Sequence, residues 1–174
     1  MITHRKIKKH IYFNSQVPNS TVINNEFHKS IVQLMEAAHK LKDKEVLVLM
    51  RNSDYYRCMT TSYLTNRVFF TTDMEDELLK NNDITYSAFH NHPDNSNFSY
   101  SDLVMFIDYD KLLTICVCTN NCKHISLLIK TRELDTTTKK EAKSELSKIK
   151  IDFSNSKTLG ILEKYGISYL HRNN

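Results

Sequence analysis

The sequence predicts a single domain of the α+β class (mixed α/β) with one layered core. The chain has 174 residues, of which 40% are hydrophobic and 25% charged. This length suits one domain with a sizeable core, and the composition is that of an ordinary globular protein. Along the chain a helix is followed by several strands, a second helix, further strands and two more helices, an order typical of this class.

The chain divides into a basic N-terminal segment at residues 1–25 and a domain at residues 26–174. The net charge is +4, and no aromatic residues interleave with the basic run at residues 5–9. This pattern favours solvated charge over nucleic-acid binding. No apolar run approaches the ~20 residues that cross a bilayer, and no signal core follows the N-terminus. We therefore expect a cytoplasmic protein with no membrane partner.

The four cysteines indicate packing rather than disulfide bonding. They are Cys58, Cys116, Cys118 and Cys122, and none forms a C-x-x-C pair. Cys116 and Cys118 are two residues apart in an apolar run, so they share one face of a predicted strand. Buried free cysteine is common, which favours a core role. The alternative is a second metal site formed by Cys116, Cys118 and Cys122.

Periodicity places the individual elements. Strand patterns occur at residues 45–50, 55–64, 67–71, 84–89, 112–118, 124–130 and, as a last edge strand, 167–170. Helix patterns occur at residues 26–41, 99–108, 134–149 and 156–165, with a short acidic helix or loop at 73–80. Residues 17–25 form a predicted loop. Gly166 is predicted to end the last helix as its C′ residue.

Two histidines and a carboxylate lie close together in residues 88–102. His90 and His92 are at i and i+2, so on an extended chain both imidazoles leave the same face. Pro93 ends the strand because it has no N–H for the ladder. Asp102 is the nearest carboxylate that could join them. A His₂-carboxylate set leaves the fourth tetrahedral position for water, as catalytic zinc requires.

Other interpretations account for parts of this pattern. Ser99 and Asp102 form a capping box at the start of a helix, which by itself explains both residues. Hydrolysis also requires a group that takes a proton from water, and the upstream carboxylates leave that group open. They include Glu26, Glu36, Asp43, Glu45, Asp73, Glu75, Asp76 and Glu77. Glu45 is favoured because it heads an apolar strand that could hold it at the edge of a site.

The motif His90-Asn91-His92-Pro93, followed by Ser99-x-x-Asp102, resembles the JAMM motif of the MPN/JAB-domain metalloproteases. In that family a glutamate precedes H-x-H-P and S-x-x-D, and Glu45 opens a comparable apolar strand. The resemblance covers residues 26–130 and is closest to bacterial and phage JAB domains with the HNHP form. Nine residues separate His92 from Asp102, one fewer than the common pattern.

The resemblance implies a JAB/MPN-like single domain with a central, mostly antiparallel sheet flanked by helices, with the C-terminal helices at residues 134–166. It implies Zn²⁺ ligated by His90, His92 and Asp102, with Glu45 as the acid/base residue. It also implies that Ser99 helps to hold the oxyanion of the tetrahedral intermediate. The implied activity is that of a zinc-dependent isopeptidase or peptidase. Its substrate would be an amide bond at the tail of a ubiquitin-like protein or peptide.

Three alternatives stay open at this point. One is a RadC-like or phage-type JAB domain in which binding dominates over catalysis, and another is a metal-free MPN scaffold that acts by protein binding. An HNH nuclease is the weakest, since that label refers to dispersed residues of a ββα-metal unit. If the chain is a peptidase, we expect the acidic segment at residues 73–77 to contact a basic residue in the substrate tail.

Overall fold

The fold was obtained as a computed structural model, which describes residues 20–42, 44–61, 68–120 and 123–173. The helices are α1 (Ser20–Lys40), α2 (Thr72–Leu79), α3 (Tyr100–Asp108), α4 (Thr136–Ser147) and α5 (Ser156–Lys164). The strands are β1 (Val46–Arg51), β2 (Arg57–Thr61), β3 (Tyr86–His92), β4 (Leu112–Thr119), β5 (His124–Lys130) and β6 (Ile167–Asn173).

The six strands form one sheet in the order β2-β1-β3-β4-β5-β6. β3 and β4 pair in parallel, and the other four neighbouring pairs are antiparallel. β3 is a central strand whose seven residues are all buried. Because β1 runs antiparallel to β3, the amino end of β1 lies beside the carboxyl end of β3.

Helices cover both faces of the sheet. On one face α1 packs against alternate residues of the central strands, and Phe27 meets Phe89 edge to face with ring centroids 5.0 Å apart. On the other face the larger cluster joins α2, α3, α4 and α5 to the opposite set of strand residues. Successive side chains of a strand point to opposite faces, so every residue of β3 is enclosed by one layer or the other.

The structure confirms the predicted α+β fold, with a mixed and mostly antiparallel sheet flanked by helices. The hairpin of β4 and β5 and the edge position of β6 are confirmed. Of the two states predicted for the acidic segment, helix or loop, the structure has the helix. Gly166 follows the C-cap of α5 with φ at 73°, as predicted for its C′ residue. A Cβ there would lie 2.6 Å from the Arg132 side chain, so backbone conformation and space both favour glycine.

Two local predictions were wrong. The loop predicted at residues 17–25 is helical from Ser20 onward, because a helix anchored by downstream apolar contacts extends at little cost into a polar stretch. The strand predicted at residues 67–71 is absent from its described part, residues 68–71. There Phe70 packs against Tyr109 and Thr71 caps α2, so the chain leaves the sheet to enter a helix.

Several predictions lie wholly or partly outside the described residues. Residues 1–19 of the predicted basic segment, Asp43 and Cys122 lie outside them. So do residues 62–64 of one predicted strand and residue 67 of the next. Cys116 and Cys118 are buried against α1, which is the predicted packing role. No helix in the described part of the chain is long and apolar enough to span a bilayer.

Candidate metal centre

His90 and His92 occupy the carboxyl end of β3 and project to the face that carries α3. Both rings are buried, with 2% and 6% of the residue surface exposed. Their Nε2 atoms point at each other and lie 3.0 Å apart. The sequence places them two residues apart on a strand, and the sheet supplies the burial that turns the pair into one site.

Asp102 reaches the histidines from the first turn of α3. Ser99 is the N-cap of this helix, and the two residues form a complete capping box. The Ser99 backbone N–H and hydroxyl both donate to Asp102 Oδ2, at 2.6 and 2.7 Å. The capping interpretation and the metal interpretation of this pair are therefore compatible, because the cap orients the carboxylate toward β3.

The three side chains converge with the spacing of metal ligands. His90 Nε2 lies 3.4 Å from Asp102 Oδ1, and His92 Nε2 lies 3.5 Å from Asp102 Oδ2. Ligand atoms about 2.0–2.2 Å from a tetrahedral zinc ion would be roughly 3.3–3.6 Å apart. The two histidine–aspartate distances match this spacing, and the 3.0 Å between the two Nε2 atoms is shorter. Among the described residues, one group of three or more His, Cys, Asp and Glu side chains could hold a metal ion, and it consists of His90, His92 and Asp102.

The outer ring nitrogens of the two histidines differ. His92 Nδ1 lies 3.3 Å from the Ser96 carbonyl oxygen and 3.0 Å from its hydroxyl. A proton on Nδ1 satisfies this carbonyl and leaves Nε2 as the free lone pair that a metal needs. His90 Nδ1 is buried without a hydrogen-bond partner in the described structure, so the support of this ring comes from packing, including Phe98.

Burial and charge set the protonation states of the group. Burial lowers the pKa of His92, and the neighbouring His90 acts in the same direction. Burial by itself would raise the pKa of Asp102, but the charge and hydrogen bond of His90 hold that pKa below its ordinary value. An ionised Asp102 beside a neutral His92 is the state in which these groups bind a divalent cation.

Glu45 directly precedes β1, at the end of the sheet where β3 carries the two histidines. The β1–β3 register ends with Leu47 opposite His90, and Glu45 lies two residues before Leu47. Glu45 therefore projects to the same face as the two histidines. It is buried, with 7% of its surface exposed, and the backbone of Val68 hydrogen-bonds to its carboxylate.

The environment of Glu45 favours a group that exchanges protons near neutrality. Burial raises its pKa to about 7, and the carboxylates of Asp102 and Asp94 act in the same direction. His90 and the Val68 hydrogen bond oppose this shift. A carboxyl group with a pKa near the working pH is suited to general acid–base catalysis.

A groove of about 630 Å³ opens onto the site. Its lining includes Glu45, His92, Ser99 and Asp102. Of the predicted site residues, four thus face one groove, and His90 lies beneath them in contact with His92 and Asp102. The roles assigned to Glu45 and Ser99 stay predictions; in this structure the Ser99 hydroxyl donates to Asp102.

Sequence reasoning missed three contributors to the site. Ser96 supports His92, Val68 contacts Glu45, and Asn91 bonds to the main chain on both sides of Glu45. Asn91 was visible between the two histidines, but its partners depend on how β1 and β3 pair. The other two depend on loop conformations that have no sequence pattern.

Comparison of the chain with known protein families, with curated proteins and with solved structures finds no significant match. The fold and the site therefore define only a broad class of protein. The protein is an α+β domain with a buried His-His-Asp group that could hold a metal, consistent with a metallohydrolase.

We expect the chain to bind one divalent metal ion through this group. Replacing His92 with alanine removes one of three ligands and should weaken Zn²⁺ binding by at least about tenfold, the scale on which even outer partners of ligands act. Calorimetric titration of the metal-free protein with Zn²⁺ measures this. The matched control is His39→Ala, an exposed histidine of α1; equal affinities in the two variants would contradict the assignment.

We expect Glu45→Gln to stabilise the metal-free protein at high pH. The folded-state pKa of about 7 lies above the ordinary value of 4.5, so folding retains a proton that the unfolded chain loses between these values. The stability of the wild type relative to the Gln variant should therefore fall as pH rises from about 4.5 to 7, by about 1–3 kcal/mol.

Urea unfolding in chelator at pH 4.5 and pH 8 measures this difference. Glu163→Gln, at an exposed position of α5, is the control and should show no such dependence. Equal pH dependence in Glu45→Gln and wild type would show that Glu45 is not held in a buried, proton-retaining environment.

Proposed function

We propose that this protein is a zinc-dependent hydrolase of the JAMM type. Its proposed substrate is an amide bond at the tail of a ubiquitin-like protein or peptide. The observation that carries the proposal is the position of Glu45. A buried carboxylate with a raised pKa faces the same groove as a His-His-Asp group, as hydrolysis by a metal and a general base requires.

The donor set fits zinc better than a hard cation. Two imidazoles and one carboxylate are typical of catalytic zinc sites, which leave a position open for water or substrate. Calcium and magnesium prefer sites built from oxygen atoms. His90, His92 and Asp102 would hold the ion, which would polarise a carbonyl group and lower the pKa of a water.

The remaining residues have roles that follow from their positions. The Glu45 carboxylate can accept a proton from the attacking water and return it to the leaving amine. Burial, which raises its pKa in the metal-free protein, makes it a better proton acceptor than an exposed glutamate. Ser99 orients Asp102 through two hydrogen bonds. Ser99 lines the groove, so its hydroxyl, once rotated away from Asp102, would be available as a donor to a substrate oxygen.

The surroundings of the groove favour an extended tail as substrate. A second groove of about 400 Å³ shares Phe69, Ser101 and Asp102 with the first. Phe69 is 66% exposed and Tyr100 is 38% exposed, which gives the second groove an apolar wall. Glu75 also lines it. A tail leaving the site in this direction would meet apolar surface first and a carboxylate after it.

The acidic residues of the segment before β3 differ in their contacts. Glu77 is occupied within the protein, because it bonds to Arg51, Lys80 and the Tyr86 hydroxyl. Glu75 accepts a hydrogen bond from the Tyr109 hydroxyl at 2.8 Å and lines the second groove. Of the acidic residues at 73–77, Glu75 is thus the one we propose to bind a basic residue of the tail.

The function is tested with a ubiquitin fusion that carries a short C-terminal peptide extension. We expect the zinc-loaded protein to release the peptide and Glu45→Gln to lower kcat by about 10²–10⁴-fold while it retains zinc, because the proton acceptor is lost. Mass spectrometry of the products and metal analysis of both proteins measure this. Full activity of Glu45→Gln would refute the acid/base assignment.

The same experiment separates the alternatives. Zinc binding without cleavage of the fusion would favour the RadC-like or phage-type JAB domain, in which binding dominates. Failure of the wild type to bind zinc would favour the metal-free scaffold.

We expect Glu75→Gln to raise the KM for a fusion whose tail contains arginine by about two- to fivefold, with kcat unchanged. This corresponds to the loss of a surface charge pair. Steady-state kinetics of tails with arginine or glutamine measure it. Asp76→Asn, at an exposed neighbouring position that does not line the groove, is the control. An equal effect of both substitutions would indicate general electrostatic attraction.

A further inference from the structure

Asn91, between the two histidines, has a fully hydrogen-bonded side chain in the interior. The residue is 0% exposed. Its Oδ1 accepts from the Val46 backbone N–H at 2.8 Å. Its Nδ2 donates to the Lys44 carbonyl at 3.0 Å and to Asn120 Oδ1 at 2.7 Å. Every hydrogen of this amide therefore has a partner, which fixes the orientation of the group.

These bonds replace part of the β1–β3 ladder. The paired register ends with Leu47 opposite His90, and the next pair would be Val46 with Asn91. At that point Val46 donates to the Asn91 side chain. The carboxamide, with one acceptor and a donor side by side, takes the place of a peptide group of the neighbouring strand.

The two peptide groups that Asn91 holds are those on either side of Glu45. Lys44 precedes Glu45 and Val46 follows it, so the bonds enclose one residue. The Glu45 carbonyl accepts from the Thr61 hydroxyl at 3.2 Å, and the Val68 backbone bonds to its carboxylate. Glu45 lies beyond the last ladder pair. The bonds of Asn91 and Thr61 hold its main chain there, and the bond of Val68 holds its carboxylate.

The side-chain alternation of β3 separates the two tasks. His90 and His92 point to the face with α3, while Asn91 points to the opposite face with Phe89. The amide is therefore turned away from the metal ligands. It can set the position of Glu45 without contributing to the ligand set.

We propose that Asn91 is a positioning residue that holds the main chain of Glu45 so that its carboxylate faces the metal groove. This inference rests on the proposed function, in which Glu45 moves the proton. Asn91 acts through hydrogen bonds to the residues flanking Glu45 and touches no substrate. Aspartate at this position would keep the acceptor for Val46 and lose the donor for Lys44, and alanine would lose both.

The test compares Asn91→Ala and Asn91→Asp with Asn120→Ala. The control removes a partner of Asn91 and leaves the bonds around Glu45 available. The first measurement is amide hydrogen exchange in the metal-free protein. We expect exchange at Val68, which contacts the Glu45 carboxylate, to accelerate by roughly fivefold or more in both Asn91 variants. This acceleration should exceed that at Ile115, in the centre of β4, which reports on global opening.

The second measurement is Zn²⁺ affinity, which we expect to be within about twofold of wild type, because the ligands keep their geometry. The third is a double-mutant cycle with the ubiquitin fusion. Asn91→Ala should lower kcat with KM unchanged, and adding Glu45→Gln should cost less than it does in the wild type.

Two outcomes would overturn the inference. Loss of zinc in both Asn91 variants would show that the amide supports the ligand strand. Exchange at Val68 that rises no more than at Ile115 would show a role in global stability alone. The exchange measurement needs no substrate, so it decides the inference even if the fusion is not cleaved; in that case the proposed function fails and the positioning role stands or falls by itself.

Discussion

The antiparallel pairing of β1 with β3 is the constraint on which the site depends. It brings the amino end of one buried strand to the carboxyl end of another, at the edge where α3 begins. Leu47 opposite His90 fixes which residues face each other beyond the ladder. A shift of one residue would turn Glu45 to the other face of the sheet, away from His92. The site is thus a property of strand register as much as of its side chains.

The site concentrates groups that are costly to bury. Two imidazoles and two carboxyl groups share one enclosed edge, and burial raises the pKa of Glu45 while it lowers that of His92. Burying ionisable groups without full compensation destabilises a fold. A divalent cation would interact favourably with the carboxylate of Asp102 and the lone pairs of both rings. The arrangement is therefore more easily explained as a binding site than as a device for stability.

One hydrogen-bonding motif serves both the helix and the site. The capping box of α3 satisfies backbone groups at its start, and the same bonds direct Asp102 at the histidines. A cap is a local and rigid structure, which suits a ligand that must keep its direction. Asn91 follows the same principle on the strand side, because a side chain that completes the main-chain bonding also fixes the residue between the bonded groups.

The sequence by itself determined the class of fold and the parts of the site that are local. Strand alternation placed His90 and His92 on one face, and the Ser99–Asp102 spacing specified a helix start. These follow from periods of two residues in a strand and from contacts within one helical turn, which a short stretch encodes. The apolar run that contains Cys116 and Cys118 likewise predicted a strand in the core.

Tertiary structure alone decided what joins these parts. Three features of the site join separate elements of the fold. Asp102 converges on the histidines, Glu45 shares a groove with His92, and Asn91 bonds to Lys44 and Val46. Asn91 is 45 residues from Val46 and 47 residues from Lys44 in the sequence. The upstream carboxylates are equivalent in chemistry. The sequence favoured Glu45 because it heads an apolar strand, and the pairing of β1 with β3 brings that strand beside the histidines. Register and packing, which sum many weak contacts over the whole chain, supplied that proximity.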